Sequence, residues 1–186
     1  MIPYVSPGGN NTFCLNSFPH QLLVGTSEGL FLLENCGEPT DWAISSRWLS
    51  ESHIHAILME SSSGMLFAGI QKGGVLASSD FGRKWEKKVR GLKHEDVYTL
   101  NCAVVDGRPL VYAGTEPPHL FVSEDLGGTW MDLEGLRSVP SAPKWHYPQP
   151  PNIGHVKQIV FEPENPKTLY ACIEQGALLR SYDGGV

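Results

Sequence analysis

Apolar residues in this chain come in short runs broken by Gly, Asp and Pro, and none keeps helical spacing for long. Four short segments match one another: LLVGT (22–26), LFAGI (66–70), VYAGT (111–115) and LYACI (169–173). Each is followed by a second apolar run: GLFLLE, GVLASS, HLFVSE and ALLRSY. Before the last three stands another: HIHAILME, DVYTLNCAVV and HVKQIVFEP. A fourth, KWEKKV or TWMDLE, closes the two complete units. The pattern predicts units of four short strands, each ended by turn residues.

The units recur at a fixed period. Gly25 to Gly69 is 44 residues, Gly69 to Gly114 is 45, and Gly114 to Cys172 is 58, the excess being one long loop. Tandem four-stranded units of this length predict an all-β fold, a β-propeller of about four blades with the first and last incomplete. The expected organisation is a loop-like segment at 1–20, repeats at 21–50, 51–92, 93–138 and 155–186, and a Pro-rich insertion at 139–154. Trp85 and Trp130 each lie 16 residues after their glycine. Trp42, 17 residues after Gly25, is expected to be their counterpart. The same offset from Cys172 falls at position 188, two residues past the end. The last unit is thus expected to lack its fourth strand, and the chain to be a fragment or to close its ring by assembly.

Between strands three and four stands a repeated stretch: SSDFGRKW (78–85), SEDLGGTW (123–130) and SYDGGV (181–186). Its residue types suit a turn. Asp80, Asp125 and Asp183 can accept bonds from backbone N–H groups of their own loop. Ser78, Ser123 and Ser181 can add local bonds. Gly82, Gly127 and Gly185 can take positive φ, and Trp85 and Trp130 can cover apolar surface between units. All are read as structural.

These stretches resemble Asp-boxes, or BNR repeats, of the YVTN/BNR-like propellers. That group includes sialidase-like, glucanase, sortilin-like and photosystem II assembly factor-like members. The resemblance spans roughly residues 20–186 and implies the fold. It does not choose between hydrolase and binding protein, because the same box serves both. A sialidase of this kind needs an arginine triad and an F/Y-R-I-P motif. The motif is absent, and no three of Arg47, Arg83, Arg90, Arg108, Arg137 and Arg180 visibly converge. A glucanase needs two carboxylates across a cleft between two propellers, more than 186 residues can build.

Strand order fixes where a site would lie. The loops joining strands two and three, and those joining one unit to the next, fall on the face opposite the repeated turns. That face is expected to carry His53, Asp96 and His155 at the strand-one starts, and Glu116, His119 and Glu174 in the loops. The insertion adds Trp145, His146 and Tyr147. These nine are the ligand-binding candidates, with Glu116 and Glu174 the carboxylate pair to test for catalysis. His55, Tyr98 and Lys157 share a neighbouring strand-one position, able to line the channel or touch the next unit.

Composition changes the picture little. A net charge of −6 gives no footprint for nucleic acid, and no apolar run is long enough to span a bilayer. The first basic residue is Arg47, so no signal-peptide n-region is visible and the cytoplasm is the expected compartment unless a leader is missing. Cys14, Cys36, Cys102 and Cys172 lack metal or redox spacing and are expected to be free, buried thiols. No metal or cofactor is expected. The expected function is a non-catalytic propeller binding a small molecule, a glycan or a protein. The alternative is a glycoside hydrolase with catalytic residues partly outside this chain.

Overall fold

The computed structural model describes residues 20–186. Cys14 and nearly all of the expected 1–20 loop lie outside that range. The described residues form four antiparallel sheets, each a simple meander. The first holds β1 (Gln21–Thr26), β2 (Gly29–Asn35) and β3 (Trp42–Trp48). The second holds β4 (Ile54–Glu60), β5 (Met65–Ile70), β6 (Gly74–Ser78) and β7 (Glu86–Lys87). The third holds β8 (Asp96–Val105), β9 (Arg108–Glu116), β10 (Leu120–Ser123) and β11 (Met131–Asp132). The fourth holds β12 (Val156–Glu162), β13 (Asn165–Ile173) and β14 (Ala177–Ser181). The architecture is all-β, an incomplete propeller whose sheets do not close into a ring.

The sheets stack face to face around their first strands, β8 packing against both β4 and β12. Each interface holds its own core. Leu30, Ile54 and Leu66 fill the first, Phe67, Leu100 and Phe121 the second, and Leu120, Ile159 and Leu169 the third. No sheet could bury these side chains alone; stacking supplies the second face.

The small residue repeated along the sequence has a steric cause. A Cβ on Gly25 would meet Ile54 at 2.8 Å, one on Gly69 would meet Val97 at 2.9 Å, and one on Gly114 would meet Val156 at 2.7 Å. Ile54, Val97 and Val156 are equivalent positions near the start of β4, β8 and β12. Gly25 in β1, Gly69 in β5 and Gly114 in β9 thus each let the next sheet approach closely. Cys172 takes the matching place in β13.

The turns after β6, β10 and β14 are built alike. Ser78 Oγ donates to Asp80 Oδ1 at 2.9 Å and accepts from Gly82 N at 2.8 Å, while Lys84 N donates to Asp80 Oδ1 at 2.8 Å. In the next turn Ser123 Oγ donates to Asp125 at 2.8 Å, Gly127 N donates to Ser123 at 2.8 Å, and Thr129 N to Asp125 at 2.7 Å. Ser181 donates to Asp183 and accepts from Gly185 N in the third. Gly82, Gly127 and Gly185 have φ of 87°, 84° and 95°, the left-handed region that glycine adopts without strain.

Trp85 and Trp130 stand at equivalent places, one residue before β7 and β11, whose pairings match: Ala77↔Glu86 and Val122↔Met131. Trp42 does not join them. The β2–β3 hairpin runs on to the pair Asn35↔Trp42, past a register shift between Leu32 and Leu33. Despite a spacing only one residue longer, Trp42 therefore sits at the hairpin end, where its Nε1 donates to Pro39 O at 3.1 Å.

Cys36, Cys102 and Cys172 are free; Cys36 is exposed and the other two half-buried, so none has the full burial expected. Within the Pro-rich insertion Ala142–Lys144 forms a 3-10 turn, and another at Glu134–Arg137 precedes it. Among the described residues no helix is long and apolar enough to cross a membrane.

Candidate functional site

A polar cluster lies where the first strands of the second, third and fourth sheets begin, on the face away from the repeated turns. One irregularity builds it three times. The β4–β5 register shifts between Ile54 and Ala56, β8–β9 between Val97 and Thr99, and β12–β13 between Val156 and Gln158. The residues skipped are His55, Tyr98 and Lys157. A bulge re-aims a side chain out of strict alternation, and these three turn toward their neighbours instead of into their own sheet.

The result is a column of rings crossing three sheets. His53 and His55 meet edge-on at 4.6 Å, His55 and Tyr98 lie 4.3 Å apart, and Tyr98 stacks on His155 at 3.9 Å. Tyr147, from the insertion, closes the column 5.5 Å from His155. Carboxylates line its flank. His155 Nε2 is 2.7 Å from Glu174 and its Nδ1 is 3.4 Å from Glu116. Lys157 Nζ sits 3.1 Å from the same Glu174 oxygen. His55 Nδ1 is 3.8 Å from Asp96, and His53 Nδ1 is 3.0 Å from Gln71 Oε1.

Burial sets the electrostatics. His155 is 2 % exposed, so desolvation lowers its pKa although Glu174 pulls it up. His55 falls further, to about 4, through burial and the neighbouring His53. Burial raises Asp96. Burial and the adjacent Asp96 raise Glu116, against a hydrogen bond from Tyr98. Glu174 moves down: burial opposes this, but bonds from Lys157 and His155 prevail. Two carboxylates with opposite shifts thus flank one imidazole.

The sequence-derived candidates divide. His53, Asp96, Glu116, His155, Glu174 and Tyr147 come together. His119 does not: its ring lies tilted against His94 at 4.1 Å and bonds Asp132 at 3.2 Å, a carboxylate also held by Arg137 at 2.9 Å. Trp145 packs against the core between the third and fourth sheets. His146 is exposed, its Nδ1 3.2 Å from Lys144 O in its own loop. His55, Tyr98 and Lys157 were absent from the candidates, though their shared register was visible. Among the described residues no group of three or more His, Cys, Asp or Glu is arranged to hold a metal ion.

Comparison with known proteins supports the fold. The chain superposes on a GH74 enzyme from Niastella koreensis with a TM-score of 0.54 at 14% identity, covering 88% of this chain and 23% of that one. An ancestral GH74 enzyme gives 0.51 at 13% identity, covering 84% of this chain and 24% of that one. YCF48 bound to D1 peptide gives 0.48 at 16% identity, covering 89% of this chain and 63% of that one. The chain spans about a quarter of the length of the two GH74 enzymes. No protein-family model and no curated protein sequence matches it. At these identities the likeness defines a propeller-type fold and carries no activity.

Proposed function

We propose that this chain belongs to a non-catalytic binding propeller whose ligand or partner protein docks on the column face, and that its repeated turns are structural Asp-boxes. The carrying observation is the placement of His155 between Glu116 and Glu174. Glycosidase carboxylates act across a gap that admits the sugar and a water, and here an imidazole fills that gap. A half-buried face of rings edged with carboxylates and Lys157 offers stacking and directional hydrogen bonds, the usual means of holding a polar ligand.

Calorimetric titration with xyloglucan oligosaccharides and a screen on a peptide array test this. Saturable binding weakened by Tyr98→Ala, without hydrolysis of the sugar, is the expected outcome. Binding insensitive to Tyr98 would refute the assignment of the face.

The glycoside-hydrolase reading keeps one supporting observation, the raised Glu116 beside the lowered Glu174, the split an acid and a base require. Release of reducing sugar from xyloglucan, abolished by Glu116→Gln, would favour it.

A further inference from the structure

We infer that Asp96 and Glu116, at the centre of the column face, form a site for a primary alkylammonium group, the chemistry of a lysine side chain or of a small diamine. This rests on the reading of that face as a binding surface and names what it holds. The two carboxylates stand directly opposite each other as a cross-strand pair of β8 and β9. Like charges so placed repel. Each also meets a buried imidazole beside a neighbouring sheet: Glu116 Oε2 lies 3.4 Å from His155 Nδ1, and Asp96 Oδ1 lies 3.8 Å from His55 Nδ1.

Neither imidazole nitrogen is a donor there. Burial keeps His155 neutral, and its Nε2 is 2.7 Å from Glu174, which is held ionised by its bonds to Lys157 and His155. An ionised carboxylate only accepts, so the ring's one proton sits on Nε2 and Nδ1 is a lone pair. His55 is likewise neutral, and its one ring proton serves the Val97 backbone carbonyl. Both Nδ1 atoms are buried without a hydrogen-bond partner, on side chains 3 % and 7 % exposed.

Four acceptors thus converge from three sheets. The protein brings Lys72 N to Asp96 at 3.4 Å and a bond from Tyr98 to Glu116, and both Nδ1 atoms remain without a donor. Burial raises the pKa of both acids, and Asp96 adds to the rise of Glu116, as expected of carboxylates short of positive charge. An ammonium supplies both needs: a charge between two acids, and three N–H donors that rotate toward acceptors on different elements. A guanidinium fits less well, because its planar fork matches a single carboxylate edge. The Asp96 and Glu116 side chains are 10 % and 14 % exposed, so the ammonium reaches them from solvent, with the imidazoles behind.

The probe is acetyl-Gly-Lys-Gly-amide, titrated into the whole chain while the His55 and His155 ring resonances are followed by nuclear magnetic resonance. Saturable shifts of both are expected, with affinity about tenfold or more weaker when norleucine replaces the lysine. Glu116→Gln should weaken binding to a similar degree without lowering the unfolding midpoint, because the new amide can itself donate to His155 Nδ1. A carboxylate with only a structural role would lose stability instead. Butane-1,4-diamine separates the sources: tighter binding than the tripeptide assigns the site to a free amine, weaker binding to a lysine side chain. Equal binding of the lysine and norleucine peptides, or preference for an arginine peptide, overturns the proposal and leaves the binding face standing. Absence of saturable shifts overturns it too. Failure of the face itself reads differently, as binding indifferent to Tyr98→Ala.

Discussion

His55 is the residue at which the cluster bears most directly on stability. It is buried as neutral imidazole, with a pKa near 4 against an ordinary 6.5. Between those values the unfolded chain binds a proton that the folded chain refuses. Stability from this site is therefore complete above pH 6.5 and is lost progressively toward pH 4, by about 3 kcal/mol. Denaturant unfolding at several pH values should show this slope, and His55→Phe should flatten it. Glu60 acts oppositely in mechanism but alike in sign. It is 1 % exposed and would be raised by burial, yet bonds from Ser63 and Ser62 bring its pKa to about 2. Ser63→Ala leaves this carboxylate short of a donor and should cost about 1 to 3 kcal/mol in urea unfolding.

At the element scale the turns are built from local bonds and the bulges from contacts between sheets. Asp125 accepts from Thr129 N and Oγ1 and from Ser123 Oγ, which overcome burial and lower its pKa. Asp125→Ala should lower the unfolding midpoint by about 1 to 3 kcal/mol, and Asp125→Asn by less, because the amide oxygen still accepts. The turns were legible in the sequence because every bond in them is local: Ser, Asp and Gly sit at fixed offsets and do the same work in each copy. The strands were legible from the apolar runs. The bulges at His55, Tyr98 and Lys157 were not, since a skipped residue leaves the alternation of its neighbours looking regular. That is why the column was recognised only in part. His119 immediately precedes β10, and the pairing of β10 with β11 sets it beside Asp132. Trp42 failed for a related reason: chain spacing counts residues, whereas a hairpin can lengthen without changing the count.

The whole molecule is held by its interfaces. At Gly114 the fourth sheet packs tightly on the third; an added methyl would stand 2.7 Å from both Thr99 and Val156. Gly114→Ala should destabilise by about 1 to 3 kcal/mol through overpacking, while the same change at Gly107, with open space around it, should act only through its local backbone. Trp130→Ala empties the core between the second and third sheets and should cost about 3 to 5 kcal/mol in thermal or urea unfolding. The same stacking assembles the column, since His55, Tyr98 and His155 come from the starts of three different sheets and are far apart in sequence.

The column is most directly tested by nuclear magnetic resonance of its imidazoles through a pH titration. Both His55 and His155 are predicted to titrate below pH 6.5, His55 near pH 4, with Tyr98→Ala shifting both resonances. Two histidines titrating at 6.5 or above, each indifferent to the loss of Tyr98, would contradict the assembly of these rings into one site.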